Sequence, residues 1–360
     1  MTKADLIIKA VTARAVQVPM PRPMATASGV IPSAPLLLID METEQGVTGR
    51  SYVFGYTPVT LRPMMELMPS LAELLVGKSV APVERAAEFE AKFRLLGRQG
   101  LLGMVLSGID MALWDALGRM HDVSIARLLG GQDRPIPAYD SYGIIDPARD
   151  AGDLENSLKQ GFRAIKIKVG GSDLDADRAA VKAVRDIIGS EVALMIDYNQ
   201  SLTVPEAVRR INNLAEFDLT WAEEPVPAED LTGHAEVRRS CTVPIQTGEN
   251  WWFPANAARA IQSGASDLAM LDIMKIGGVT GWMQAAGQAE GASLPVSSHA
   301  FVEASAQVLA VTPTCHFLEF LDKAKAILQE PAIVEDGMVR PRGSGLGMEW
   351  DAAAVEKYSV

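Results

Sequence analysis

From about residue 135 onward, short apolar strands alternate with amphipathic helices. This rhythm limits the possible folds more than any other feature of the chain. The strand patterns are IPAYDSY, RAIKIKV, VALMIDYN, LTWAEEP, VPIQTGE, LAMLDIMK, LPVSSHA and HFLEFLD. Helical patterns such as DADRAAVKAVRDII, VPEAVRRINNLA and PANAARAIQSG fall between them. Such alternation predicts a parallel sheet, and eight strands in this order fit a closed (β/α)8 barrel with one irregular repeat. The first third reads differently. LIIKAVTARAVQVPM and APLLLIDMETEQGVTGRSYVFGY predict strands, and METEQGVTG predicts a turn between two of them. The Pro-, Ser- and Gly-rich PRPMATASGVIPS predicts a mobile loop long enough to carry function. Helices are expected over about 58–77, 82–95 and 101–120, the last apolar nearly all round and therefore buried. The chain is expected to divide into an N-terminal domain (1–132), a barrel (133–322) and a C-terminal segment (323–360) that returns to the first domain.

Charge narrows the function classes. The 360 residues carry a formal net charge of −12 with both signs interspersed. A sequence-independent grip on nucleic acid or an anionic membrane is not expected. The two cysteines, Cys241 and Cys315, stand in no metal-ligand spacing and are expected to be reduced core thiols. No signal-peptide pattern and no membrane span are read, so a cytoplasmic location is expected.

The strand ends carry the chemistry. Read toward their C-terminal ends, successive strands supply Lys166 and Lys168, Asp197 and Asn199, Glu223 and Glu224, Glu249, Asp272 with Lys275, His299, and Glu319. In a barrel of this kind these ends line one mouth. Asp197, Glu223 and Glu249 recur at intervals of 26 residues on three successive units. Three converging carboxylates repel unless a cation lies between them, and oxygen-only ligands suit a hard divalent ion, most simply Mg²⁺. Helix-capping carboxylates would also satisfy the pattern. Lys166 and Lys168 share one strand face, which is either solvated or turned toward something negative. Beside a second ammonium and a divalent ion, Lys168 is expected to have a depressed pKa and to act as a base. His299 follows Asp272 by one strand, and a carboxylate beside an imidazole suits acid–base work. Glu319, between bulky apolar neighbours, could stay protonated and donate to a developing oxyanion. An arginine-paired carboxylate at the barrel floor fits its spacing equally well.

These residues, with KIK, IDYNQS, WAEEP, GENW, MLDIMKIGGVTGW, SSH and HFLEFLD, resemble the mandelate racemase subgroup of the enolase superfamily. The similarity also reaches RAVQVPM, APLLLID, SYVFGYTPV and GIDMALWDALG, and so covers essentially the whole chain. The resemblance implies an α/β modified TIM barrel, (β/α)7β, under an N-terminal α+β capping domain. It implies Mg²⁺ on Asp197, Glu223 and Glu249. Lys168 and His299, paired with Asp272, would be bases on opposite faces of the substrate. Lys166 and Ser141 would contact the substrate carboxylate, Asn199 its hydroxyl, and Glu319 would donate to a carboxylate oxygen. Tyr56, Met24, Ile31, Ala300 and Leu321 would line the rest of the pocket. Tyr142, Met24 with Ala25, Ser28 and Ala300 depart from mandelate racemase itself and imply a reshaped, still small and largely apolar pocket. The resemblance thus implies racemisation of mandelate or a related 2-hydroxy acid through an enolate. The alternatives are acid-sugar dehydration through the same enolate and, in a different class, a non-catalytic metal-binding barrel. The implied partner is a small-molecule carboxylate. Self-association is also implied, as a homo-oligomer that in such proteins is often an octamer.

Overall fold

Eight parallel strands follow one another in chain order with seven helices between them. They are β4 (Ile136–Ile144), β5 (Ala164–Lys168), β6 (Ala193–Asp197), β7 (Leu219–Glu223), β8 (Ile245–Thr247), β9 (Leu268–Leu271), β10 (Val296–Ser298) and β11 (Leu318–Phe320). This is a computed structural model, and it describes residues 5–26, 29–171 and 173–360. The sheet closes on itself. β11 pairs in parallel with β4, and the chain entering β11 bonds to β10, where His316 N donates to Val296 O and Ser298 N to Phe317 O. No helix follows β11 in the rhythm, so the barrel is (β/α)7β.

Alternation sorts the strand residues into layers. On β5, Ile165 and Ile167 join the main core outside the barrel, under the helices. Ala164, Met195, Trp221 and Met270, with Tyr139 and the partly buried Phe317, form a separate apolar cluster inside it. Two residues further along each strand the inward position turns polar: Ser141, Lys166, Asp197, Glu223, Asp272 and Glu319. A dry floor of side chains therefore underlies a polar layer at the C-terminal mouth, the usual division of a packed barrel.

Over this mouth lies an antiparallel sheet of β1 (Ile8–Thr26), β2 (Gly29–Thr43) and β3 (Thr48–Phe54), backed by α1 (Leu61–Glu73), α2 (Pro82–Lys92) and α3 (Leu101–His121). α3 is long and apolar enough to cross a membrane by length and composition, but it is mostly buried in protein. The loop expected over PRPMATASGVIPS is instead ordered as a hairpin. Met24 pairs with Ile31 and Thr26 with Gly29, after a register shift that absorbs the prolines at 21 and 23. Proline removes ladder donors, which made this stretch read as a loop, yet at a bulge it is tolerated. Ser28 and the side chain of Thr26 lie outside the described residues.

The C-terminal segment touches both parts. Met338–Val339 pairs with β4, Ser359 pairs with Val16, and Trp350 Nε1 donates to Asp40 Oδ1 at 2.8 Å. Cys241 and Cys315 are free and only half-buried.

α3 also caps a barrel helix. The residue before α10 (Gly278–Gly291) is Gly277, which has no capping side chain, and Asp110 of α3 supplies one. Its carboxylate accepts from Thr280 N at 3.0 Å and Thr280 Oγ1 at 2.6 Å. Burial pushes Asp110 up to about 7, against the opposing pull of these hydrogen bonds. A carboxyl raised on folding contributes stability that is complete below its unfolded pKa, about 4, and lost as pH rises through 7. Asp110→Asn keeps a capping oxygen without that loss, so its melting temperature relative to wild type should be higher at pH 8 than at pH 5. A difference independent of pH, read by thermal denaturation, would contradict this.

Candidate active site

The polar layer begins with β5. Lys166 and Lys168 are 1% and 8% exposed, so both point into the barrel and neither is solvated. Strand register sets Lys168 beside Asp197 and Asp197 beside Glu223. Lys166 Nζ donates to Glu223 Oε1 at 2.6 Å and lies 2.8 Å from Glu319 Oε1. Lys168 Nζ donates to Asp197 Oδ2. Asn199 braces the same carboxylate, donating from its backbone N at 2.7 Å and from Nδ2 at 3.0 Å. Glu223 Oε2 also accepts from Trp221 Nε1 and Gln246 Nε2, both at 3.2 Å.

Local backbone delivers the remaining groups. Gly248 adopts φ +135, and a Cβ there would stand 2.6 Å from Met270 O. Only glycine makes this turn without a clash, and Glu249 follows at the mouth. Asn199, Gln200, Glu224, Ala300 and Phe301 also have positive φ at the strand ends. Such backbone strain concentrates where side-chain placement matters more than local stability. On the opposite side, His299 Nδ1 lies 2.6 Å from Asp272 Oδ2, and His299 Nε2 lies 3.4 Å from Glu249 Oε2. Asp272 is itself fixed by the N–H groups of Met274 and Lys275. With Asp272 accepting at Nδ1, Nε2 is left facing the site.

Asp197, Glu223 and Glu249 are therefore neighbours, and none serves as a helix cap. Burial pushes Glu223 up to about 7, and repulsion from Asp197 and Glu249 adds to this against the pull of Lys166. Among the described residues they do not close around one point as a ready cage, because the two ammonium groups lie among them. The donor set is all oxygen and its members repel one another, which suits a hard divalent ion.

Opposing charges decide two protonation expectations, and the one for Lys168 supposes a divalent ion beside it. Burial lowers the Lys168 pKa, but the Asp197 carboxylate outweighs it and the net shift is upward. Burial raises the Glu319 pKa, but Lys166 and His299 outweigh it and hold Glu319 ionised. Glu319 also accepts from Ala300 N at 2.9 Å. His299 is net raised: burial opposes its charge, and Glu249 and Asp272 favour it.

Lys168, Asn199, Glu249 and His299 line a cavity of about 650 Å³, together with Met24, Ile31, Tyr56 and Leu321. Ala300 does not line it. It is fully buried and contributes a backbone N–H to Glu319. Ser141 lies beside Lys166 in register, its hydroxyl buried without a hydrogen-bond partner, and it opens onto an adjoining cavity. Tyr142 also turns away from the main cavity, bonding Ser157 Oγ at 2.6 Å beneath the Arg22 guanidinium. The cavity lining is largely apolar, as expected, but it also carries polar groups. Gln17, Ser33, Gln200, Asn250, Lys275 and Lys323 line it too. Sequence reasoning missed Asn250, which joins Lys275 to Glu224, and Lys323, which follows the last strand in a lysine-rich turn that reads as surface.

The C-terminal mouth of this (β/α)7β barrel thus gathers two lysines, the His299–Asp272 pair and three neighbouring carboxylates. Residues 9–130 match the family model "Mandelate racemase / muconate lactonizing enzyme, N-terminal domain", and residues 150–354 match "Enolase C-terminal domain-like". The chain belongs to the mandelate racemase/muconate lactonizing enzyme family of the enolase superfamily. A solved enolase from Bradyrhizobium, complexed with magnesium and mandelic acid, is 55% identical over 100% of both chains, with a TM-score of 0.98. A 3,6-anhydro-alpha-L-galactonate cycloisomerase from Streptomyces coelicolor is 30% identical over 96% of this chain and 97% of its own. An L-talarate/galactarate dehydratase from Salmonella typhimurium is 30% identical over 67% of this chain and 62% of its own. Epimerases are also among the relatives. The family is thus defined, while its members differ in reaction.

Lys166 is the ammonium on which two buried carboxylates depend. Lys166→Met should destabilise the protein by about 3–5 kcal/mol in urea unfolding at neutral pH, because it leaves buried charges unpaired. Adding Glu319→Gln should restore part of that loss. An unchanged midpoint in the single variant would contradict the pairing.

Proposed function

We propose that this enzyme abstracts the α-proton of a 2-hydroxy carboxylate and returns a proton to the opposite face, racemising mandelate or a related 2-hydroxy acid. The observation that carries this reading is one cavity lined by both Lys168 and His299, which stand on strands three apart around the closed eight-stranded barrel. The bound mandelic acid of the 55%-identical Bradyrhizobium protein supports the same substrate class.

The α-proton of a carboxylate is weakly acidic, because its removal adds a second negative charge. Asp197, Glu223 and Glu249 would hold Mg²⁺, which supplies positive charge to offset that increase. Occupation of Asp197 by a cation would withdraw the partner that now keeps Lys168 charged. Lys168 Nζ would then take the proton on one face. His299 Nε2 would handle it on the other, with Asp272 holding Nδ1–H and stabilising the imidazolium. Lys166 and the Ser141 hydroxyl would bind the substrate carboxylate, and Asn199 the 2-hydroxyl. Glu319 would hold Lys166 in place rather than donate to the oxyanion. The floor of Trp221, Met270 and Tyr139 keeps the dielectric low, which strengthens these interactions.

Acid-sugar dehydration is the second reading. The polar lining favours it, since Gln17, Asn250, Lys275 and Lys323 could bind several hydroxyls or a second anion. The same enolate would then expel a β-hydroxyl with a proton from His299.

Proton NMR in D₂O with Mg²⁺, over a panel of 2-hydroxy acids and acid sugars, tests both. Racemisation predicts loss of the α-proton signal while the compound persists and optical activity decays. A 2-keto-3-deoxy product from an acid sugar would overturn racemisation in favour of dehydration. Among variants, Lys168→Ala should abolish exchange from one enantiomer and spare some from the other, and His299→Asn should do the reverse. Equal loss for both enantiomers in a folded variant would contradict the two-base assignment.

A further inference from the structure

Three ammonium groups line the main cavity, and two have partners. Lys168 is bonded to Asp197, and Lys275 to Asn250. Lys323 is different. It is 5% exposed, and its Nζ has no hydrogen-bond partner and no carboxylate within ion-pair distance among the described residues. The face of Phe54 lies against it, with the ring centroid 4.6 Å from Nζ. An aromatic face offsets only part of the cost of burying an ammonium. Buried charges are ordinarily paired, so an unpaired one lining a substrate cavity implies a partner that arrives with the substrate.

We propose that Lys323 is a specificity-determining residue that binds a second carboxylate, so that preferred substrates are 2-hydroxy acids bearing an additional anionic group. This rests on the proton-abstracting function proposed for the same cavity. The reacting carboxylate already has Lys166 and the metal set at the floor. Lys323 lies elsewhere in the lining, at the turn after β11, against Phe54 of the capping sheet. It is positioned for a distal group rather than the reacting one. Burial also brings the Lys323 amine down to about 8, with Glu319, Asp272 and Glu249 opposing that shift. An incoming anion would reverse this penalty.

The test is calorimetric binding to the Mg²⁺-loaded full chain of mandelate and 4-carboxymandelate, which share one aryl 2-hydroxy acid and differ by a carboxylate. Wild type should prefer the dianion by about tenfold or more, the worth of one charged hydrogen bond. Lys323→Met should erase that preference, and Lys323→Arg should retain part of it. Absence of the preference in wild type, or the same ratio in wild type and Lys323→Met, would overturn the proposal. Should Lys323→Met fail to fold, judged by circular dichroism, Lys323→Gln takes its place in the comparison. Exchange of the α-proton in D₂O is followed in parallel. A Lys323-dependent binding ratio without exchange would refute proton abstraction and leave this inference standing. Exchange with a ratio indifferent to Lys323 would refute this inference alone.

Discussion

Repulsion among Asp197, Glu223 and Glu249 is the constraint around which the mouth of this barrel is built. All three carboxylates are buried, and Asp197 and Glu223 are wholly removed from solvent. A fold tolerates such a cluster only when cations balance it. Lys166 and Lys168 do so from the adjacent strand. A divalent ion placed among the carboxylates would therefore do two things at once. It would relieve the repulsion and free Lys168 from Asp197.

The rest of the molecule supports that charge cluster from below and above. Below it, the apolar plug of Met195, Trp221, Met270 and Tyr139 excludes water from the barrel axis. Above it, Met24 and Ile31 of the capping sheet, with Tyr56, line the cavity. Tyr52 Oη on the capping sheet donates to Glu303 Oε2 at 3.0 Å on the barrel side, which ties the lid to the site. Positive φ angles at Asn199, Glu224 and Ala300 show where the backbone is held off its preferred geometry to aim groups inward. Precise placement of acid, base and anion-binding groups is what proton abstraction from a weak carbon acid demands.

Much of this was legible in the sequence because barrel geometry is periodic. The alternation of Ile165 and Ile167 with Lys166 and Lys168 sorts side chains to the two faces of a strand, and the 26-residue recurrence from Asp197 to Glu249 places carboxylates at equivalent strand ends. The hairpin through Pro21 and Pro23 was not legible, because local composition does not reveal a bulge that a partner strand accommodates. Nor was the direction in which Tyr142 turns, which depends on Ser157, 15 residues along the chain, and on Arg22 of the capping sheet. The protonation of Lys168 and Glu319 was not legible either. Sequence shows that charges will gather, but which one wins depends on the 2.8 Å between Lys166 and Glu319. Lys323 stayed hidden because its burial and its contact with Phe54 bring together residues far apart in sequence.

Titration calorimetry with Mg²⁺ tests the central claim most directly. The account predicts one ion bound per chain, with affinity lost on Asp197→Asn or Glu249→Gln while the circular dichroism spectrum is retained. Binding of unchanged affinity in both folded variants would place the ion elsewhere and contradict the account.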